Sequence, residues 1–344
     1  MIKIDRKVLG ILDKAREGHA PGKEDCIHML SFHEISPEAS LIRATADSLM
    51  RSKFDNNGMV FAQIGIEIAP CPASCKFCSF GEGHTSFGTS NMTDEDILAT
   101  ALNFTESNEL YALFLMTMHN YDYDKLIRIV RMLRNKIPAE TKLCVNIGDF
   151  DLSQARELKA EGVAGAYHLA RLREGIDTTL DPKSRNASIK NLKVAGLDWY
   201  YCCEPIGPEH TPEELAEQLL FGREFGGCFQ HGAMNRIYIP GSPLARHGQI
   251  TELKLGQVTA VVTLAMLETE ATKTIGVHEP NQIGLTSGAN TIYAETGANP
   301  RDTREETSTN RGRDIAACKK MLFESGFSHL LTSPDKRLPL KNIN

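Results

Sequence analysis

The chain has 344 residues, 41% of them apolar and 24% charged, with a net charge of -6. That length holds one large α/β domain or two modest ones around a sizeable core, and the acidic balance argues against a nucleic-acid partner, which selects a basic face. Nine cysteines, an odd number in a long chain, read as free thiols of a reducing cytoplasm rather than as a disulfide framework.

The first residues, Met1-Ile-Lys-Ile-Asp-Arg-Lys, carry charge where a secretory signal needs an apolar core. The longest strongly apolar run, Val258–Leu267, is too short to cross a bilayer. A cytoplasmic protein without a membrane partner is therefore expected. Lys7–Arg16 and Leu41–Lys53 read as helices, with a loop at Gly18-His-Ala-Pro-Gly22, so residues 1–55 are expected to form a helical extension. After a turn at Asp55-Asn-Asn-Gly58 comes the first strong strand, Val60–Ile68.

From there strands and helices alternate. Tyr111–Met116, Lys142–Ile147, Gly165–Leu169, Trp199–Cys203, Asn235–Ile239, Thr272–Val277 and Thr291–Tyr293 read as strands. Asp94–Phe104, Tyr123–Arg134, Leu152–Glu161, Ser184–Ala195, Pro212–Phe225, Glu252–Glu268 and Gly312–Ser325 read as helices. Thr93 and Thr211 stand where N-caps belong. This rhythm predicts a (β/α)8 TIM-type barrel over 56–330, near the usual ~250 residues. A doubly wound open sheet is the alternative, because periodicity does not separate closed from open. Residues 331–344 read as a loose tail.

Immediately after the first strand lies Cys71-Pro-Ala-Ser-Cys75-Lys-Phe-Cys78. Three thiolates at this spacing can share one face of a loop. They are one short of the four that close a [4Fe–4S] cube, which would leave one iron open to a ligand that is not protein. A Cys3His zinc knuckle is the bland alternative, but the nearest downstream histidine, His84, has no partner pair behind it. In a parallel barrel the loops after strand C-termini carry the chemistry. The cysteine loop would then lie over the barrel mouth, where a reactive centre can be shielded from water.

The cysteine spacing resembles that of radical S-adenosylmethionine (SAM) enzymes, and in particular the biotin synthase-like group, with the [FeFe]-hydrogenase maturase and methylornithine synthase among its members. Two further anchors carry the likeness: Ile239-Pro-Gly-Ser-Pro-Leu244, and Ser287-Gly-Ala-Asn290-Thr-Ile-Tyr followed by Thr296-Gly-Ala-Asn-Pro300. The resemblance implies that the open iron chelates SAM. A reduced cluster would then cleave SAM to methionine and a 5′-deoxyadenosyl radical that abstracts hydrogen from a small molecule or cofactor precursor. It also implies an electron donor such as flavodoxin or ferredoxin. By the same resemblance Phe77 matches the aromatic position beside the adenine, and Arg185 the arginine on the SAM carboxylate, a task suited to a guanidinium fork. Arg171 and Glu174 follow Tyr167 where relatives contact the ribose and amino group, set off by an extra residue or two. Leu115-Met-Thr-Met-His119 departs from the Gly-Glu-type motif of many relatives.

Biotin synthase holds a second cluster with three cysteines and an arginine, and the resemblance tests this chain for one. Cys144 matches one ligand strand; Cys202 and Cys203 lie close to another; Leu115 and Gly276 stand at the remaining two positions, with His278 a possible substitute. The bland reading makes these thiols small core residues. Three functions compete: radical sulfur insertion of the biotin or lipoyl type, which leads narrowly; radical C–H rearrangement, methylation or fragmentation without sulfur; and a zinc-stabilised, non-enzymatic binding barrel. Candidate barrel-facing polar residues are Asn146, Asp149, Glu204, Asn235, Arg236, His278 and Asn281.

Overall fold

A computed structural model describes residues 3–278, 282–295 and 313–341. Asn281 and the anchor Thr296-Gly-Ala-Asn-Pro300 lie outside the described residues. Eight parallel strand positions form the barrel: β1 (Asn57–Gly65), β2 (Ala112–Met116), β3 (Lys142–Asn146), β4 (Val163–Tyr167), a fifth split into β5 (Asp198–Tyr200) and β6 (Cys203–Ile206), β7 (Gln230–Asn235), β8 (Thr274–His278) and β9 (Thr291–Ala294). β1 pairs in parallel with β2 on one side and β9 on the other, so the sheet is closed, not open. Asn290 helps that closure. Its carboxamide oxygen accepts from Ile275 N–H and Thr274 Oγ1, and its amide donates to the Asn57 carbonyl, tying β8 to the start of β1.

Helices return the chain between strands: α4 (Asp94–Thr105), α5 (Tyr123–Arg134), α6 (Leu152–Ala160), α7 (Pro182–Val194), α8 (Pro212–Glu224), α9 (Glu252–Ala265), the short α10 (Gln282–Leu285) and α11 (Ile315–Glu324). The cap signals work as expected. Thr93 Oγ1 accepts from Asp96 N–H, and Thr211 with Glu214 closes a full capping box.

Before the barrel come α1 (Arg6–Arg16), α2 (Lys23–Leu30) and α3 (Pro37–Lys53). They are needed because α9 is apolar on every side and is buried from Leu255 to Ala265. α2 and α3 cover it. The Gln257 amide donates to the carbonyls of Met29 and Phe32, and the Lys53 ammonium caps those of Met266, Leu267 and Thr269 beyond the end of α9.

Three expectations change. The strand expected at Asn235–Ile239 is Gln230–Asn235 instead. Gln-His-Gly-Ala-Met-Asn contains no β-branched residue, so its strand character comes from burial between β5–β6 and β8, not from propensity. α2 adds a third helix directly after the Gly18–Gly22 loop, where only Lys7–Arg16 and Leu41–Lys53 were singled out within the helical extension. The expected tail at 331–344 is largely a hairpin: β10 (His329–Ser333) pairs with β11 (Lys336–Pro339) and extends alongside the start of β1.

The floor of the lumen is packed with rings. Phe61 lies 5.9 Å from Tyr200 across the barrel, Phe114 lies 5.0 Å from Tyr200, and Tyr200 lies 5.2 Å from Phe229, all centroid to centroid. Below them the Lys142 ammonium sits 4.1 Å from the Phe229 ring and bonds Asp198 at 2.6 Å.

Candidate functional site

β1 ends at Gly65, and two residues later a short antiparallel pair, Glu67–Ile68 with Ser90–Asn91, frames the excursion that carries the cysteines. Their loop is stitched to its surroundings by backbone bonds. Cys71 N–H donates to Phe80, Ser74 N–H to Cys71, and Cys78 N–H to Cys75, at 2.7–3.0 Å. The loop after β4 holds it from the side: Lys76 N–H donates to the Asp177 carbonyl, and Thr179 N–H to that of Ala73. All three cysteines are half-buried.

Those thiols line one wall of a cavity of about 210 Å³. Phe77, Glu67, His119, Arg171 and Arg185 line it too. Burial pushes the Cys75 thiol up to about 12, with Arg171 pulling the other way. A thiolate there therefore needs a cationic centre beside it. Among the described residues, no three His, Cys, Asp or Glu side chains gather closely enough to hold one metal ion. Cys71 and Cys78 both act on the Cys75 thiol, so the three neighbour one another at the wall. Gly148 lets the loop after β3 close in: a Cβ there would lie 1.9 Å from the His119 carbonyl oxygen.

The same architecture occurs in known proteins. Biotin synthase from Desulforudis audaxviator (strain MP104C) is 25% identical over 254 residues, 69% of this chain and 76% of that protein. Biotin synthase from Clostridioides difficile (strain 630) is 26% identical over 271 residues, 75% of this chain and 78% of that protein. These likenesses in sequence and fold support the biotin synthase-like radical SAM group. No family profile matches the chain. In fold it is similar to the FeFe-hydrogenase maturase HydG from Carboxydothermus hydrogenoformans, with a TM-score of 0.76 at 15% identity over 94% of this chain and 79% of that one. Methylornithine synthase gives a TM-score of 0.77 at 15% identity over 92% and 96%.

In this barrel, Arg185 projects from α7 and is only 3% exposed. Its Nε donates to the Leu169 carbonyl at 3.0 Å, and its Nη1 to Asp149 Oδ1 at 2.8 Å. Its Nη2 has no hydrogen bond among the described residues, and the side chain lines the cavity. Arg171 stands where this cavity meets a second one. Its Nε donates to Glu204 Oε1 at 3.0 Å. Burial works against its charge, but Glu204 and Glu174 outweigh that and raise its pKa. Glu174 lines neither cavity. Its carboxylate accepts from Arg171 N–H and Thr178 Oγ1, and so shapes the loop that presents Arg171.

The second cavity, of about 240 Å³, shares Cys78, Met116, Asn146 and Arg171 with the first. Tyr167, Glu204, His278, Tyr293 and Glu295 are among its other walls. The Tyr167 hydroxyl bonds Glu204, and His278 stacks on Tyr293 at 4.0 Å. Arg236, expected to face the lumen, is instead bound to Glu209 and the Gly248 carbonyl.

The possible ligands of a second cluster are not brought together. Cys144, Cys202 and Cys203 are fully buried and line neither cavity. Cys144 is in register with Phe114, and its thiol lies beside the Tyr200 hydroxyl in the aromatic floor, pushed up to about 12 by burial. The Cys202 sulfur lies against Gly232, near Tyr167. His278 stands higher, at the wall of the chamber. Glu67 and Met116 escaped the sequence reading. Glu67 continues the alternation of β1 past Gly65, which was its available signal.

Proposed function

We propose that this chain is a radical SAM enzyme in which Cys71, Cys75 and Cys78 hold a [4Fe–4S] cluster and the second cavity holds a small polar substrate. The observation that carries the reading is the shared wall: three thiols and the Arg185 guanidinium face one cavity, which abuts the chamber at Cys78 and Arg171. Three thiols without a fourth protein ligand suit a cube with one open iron better than a structural zinc ion, which takes four. When bound and reduced, such a cluster supplies the electron that cleaves SAM to a 5′-deoxyadenosyl radical. Arg185 then gives the SAM carboxylate a cationic partner away from water. Phe77 offers an apolar face on the same wall. Arg171, fixed by Glu204, separates the SAM side from the substrate side.

For the reaction itself, the packing of the lumen supports C–H rearrangement, methylation or fragmentation over sulfur insertion. Sulfur insertion wants a donor beneath the substrate, and that layer is filled by Phe61, Phe114 and Tyr200 around Cys144. Anaerobically purified protein tests the reading. It should be brown, hold about four irons and matching sulfide per chain, and release 5′-deoxyadenosine from SAM when reduced. A colourless protein with zinc and no sulfide overturns it; about eight irons restores sulfur insertion.

A further inference from the structure

Asp149 sits on the loop after β3, directly after Ile147 and Gly148 of the cavity wall. One of its oxygens, Oδ1, gathers three donors from two other elements. Arg185 Nη1 lies at 2.8 Å, His168 Nε2 at 3.1 Å and Ser188 Oγ at 3.4 Å. Arg185 and Ser188 come from one helix and His168 from the end of β4.

The partners are themselves pinned. His168 is wholly buried, and its carbonyl accepts from Trp199 Nε1 at 2.7 Å. Burial pushes the imidazole down to about 3, so it is neutral and donates through Nε2–H. Ser188 Oγ accepts from Phe150 N–H, which fixes the residue next to Asp149. For Asp149 burial opposes the charge, yet the bonds from His168 and Arg185 outweigh it and hold the carboxyl well below its usual range. The carboxylate therefore stays ionised beside a guanidinium that has lost most of its water.

The consequence falls on Arg185. With Nε on the Leu169 carbonyl and Nη1 on Asp149, two of its three nitrogens are committed, and the plane of the guanidinium cannot turn. The third, Nη2, is left at the cavity. We propose that Asp149 is the positioning residue that aims Arg185 at the carboxylate of SAM, an inference that rests on the SAM-binding role given to Arg185 above. Asp149 touches no reacting atom. It supplies the counter-charge that makes a buried guanidinium tolerable and the angle that leaves one N–H edge for an incoming carboxylate. Outer partners of this kind are worth about 10- to 100-fold in ligand affinity where they have been measured around metal ligands.

The test uses cluster-loaded protein and two probes, SAM and decarboxylated SAM, with dissociation constants measured anaerobically by calorimetry. Asp149→Asn keeps the shape and removes the charge. It should weaken SAM by about 10- to 100-fold and leave decarboxylated SAM within about twofold of wild type. Arg185→Ala should show the same selectivity, and the double variant should bind SAM no more weakly than Arg185→Ala alone. Asp149→Glu, which keeps the charge but displaces it, should fall between wild type and Asp149→Asn; it carries the test if Asp149→Asn does not fold. Equal weakening of both probes by Asp149→Asn means a merely structural role and overturns the inference. So does an unchanged SAM affinity in Asp149→Asn when Arg185→Ala weakens it. An unchanged affinity in Arg185→Ala overturns instead the role given to Arg185.

Discussion

Cys71, Cys75 and Cys78 occupy a loop at the barrel mouth; Cys144, Cys202 and Cys203 occupy the strands beneath. Burial disfavours the thiolate at one cysteine of each region, with Cys75 and Cys144 both pushed up to about 12. Protonation alone therefore does not separate a ligand from a core residue. Space does. The loop cysteines border about 210 Å³ of cavity with two arginines on its walls. Cys144 borders Tyr200 and the rings stacked around it, leaving no room for a cluster unless the floor is rebuilt.

The sharpest way to break this comparison is to remove the thiols of each region in turn. Cys71→Ala, Cys75→Ala or Cys78→Ala should each abolish 5′-deoxyadenosine formation from SAM after iron reconstitution, because two thiolates do not anchor the cube. Full activity in any one of them ends the assignment. Next in size is the floor itself. Phe61→Ala should cost about 3–5 kcal/mol of stability in denaturant unfolding, through lost burial and the cavity left behind. A cost below about 1 kcal/mol would mean that the rings are loosely packed and that the lumen has room to spare. Cys144→Ala and Cys202→Ala should be milder. About 1 kcal/mol of stability is expected to go, with iron held at about four per chain. Halving of an iron content that starts near eight would return these residues to a second centre. The smallest effect belongs to Tyr200→Phe. The Tyr200 hydroxyl is buried beside Cys144 without a well-formed hydrogen bond, so its removal should change stability by no more than about 1 kcal/mol. A larger loss would show that the hydroxyl is bound to a group in the lumen.

Much of the fold was legible because its signals are local. Tyr123–Arg134 is the helix its apolar period describes, with Asp122 capping it, and Ala112–Met116 is the apolar run that makes a buried strand. The strand at Gln230–Asn235 was not legible, since its polar and glycine-rich residues become a strand only between two neighbours. The hairpin at 329–339 depends in the same way on β1 being there to receive it. In the site, the cysteine triplet and Arg185 could be read by spacing and resemblance. Glu174 could be placed near Arg171 but not assigned a direction; its carboxylate turns back to the Arg171 backbone N–H.

By itself the sequence determined the alternation of strand and helix, the three clustered thiols and their position after the first strand. Each of these is a matter of period or spacing along the chain, and none needs a distant partner to be recognised. Only the tertiary structure decided which cysteines have space beside them, which arginine is held by Asp149 and His168, and how Arg171 divides two cavities. Those depend on side chains from different strands meeting across the lumen. Rings from β1, β2, β5 and the residue before β7 fill the floor together, and close packing leaves a second cluster no volume there.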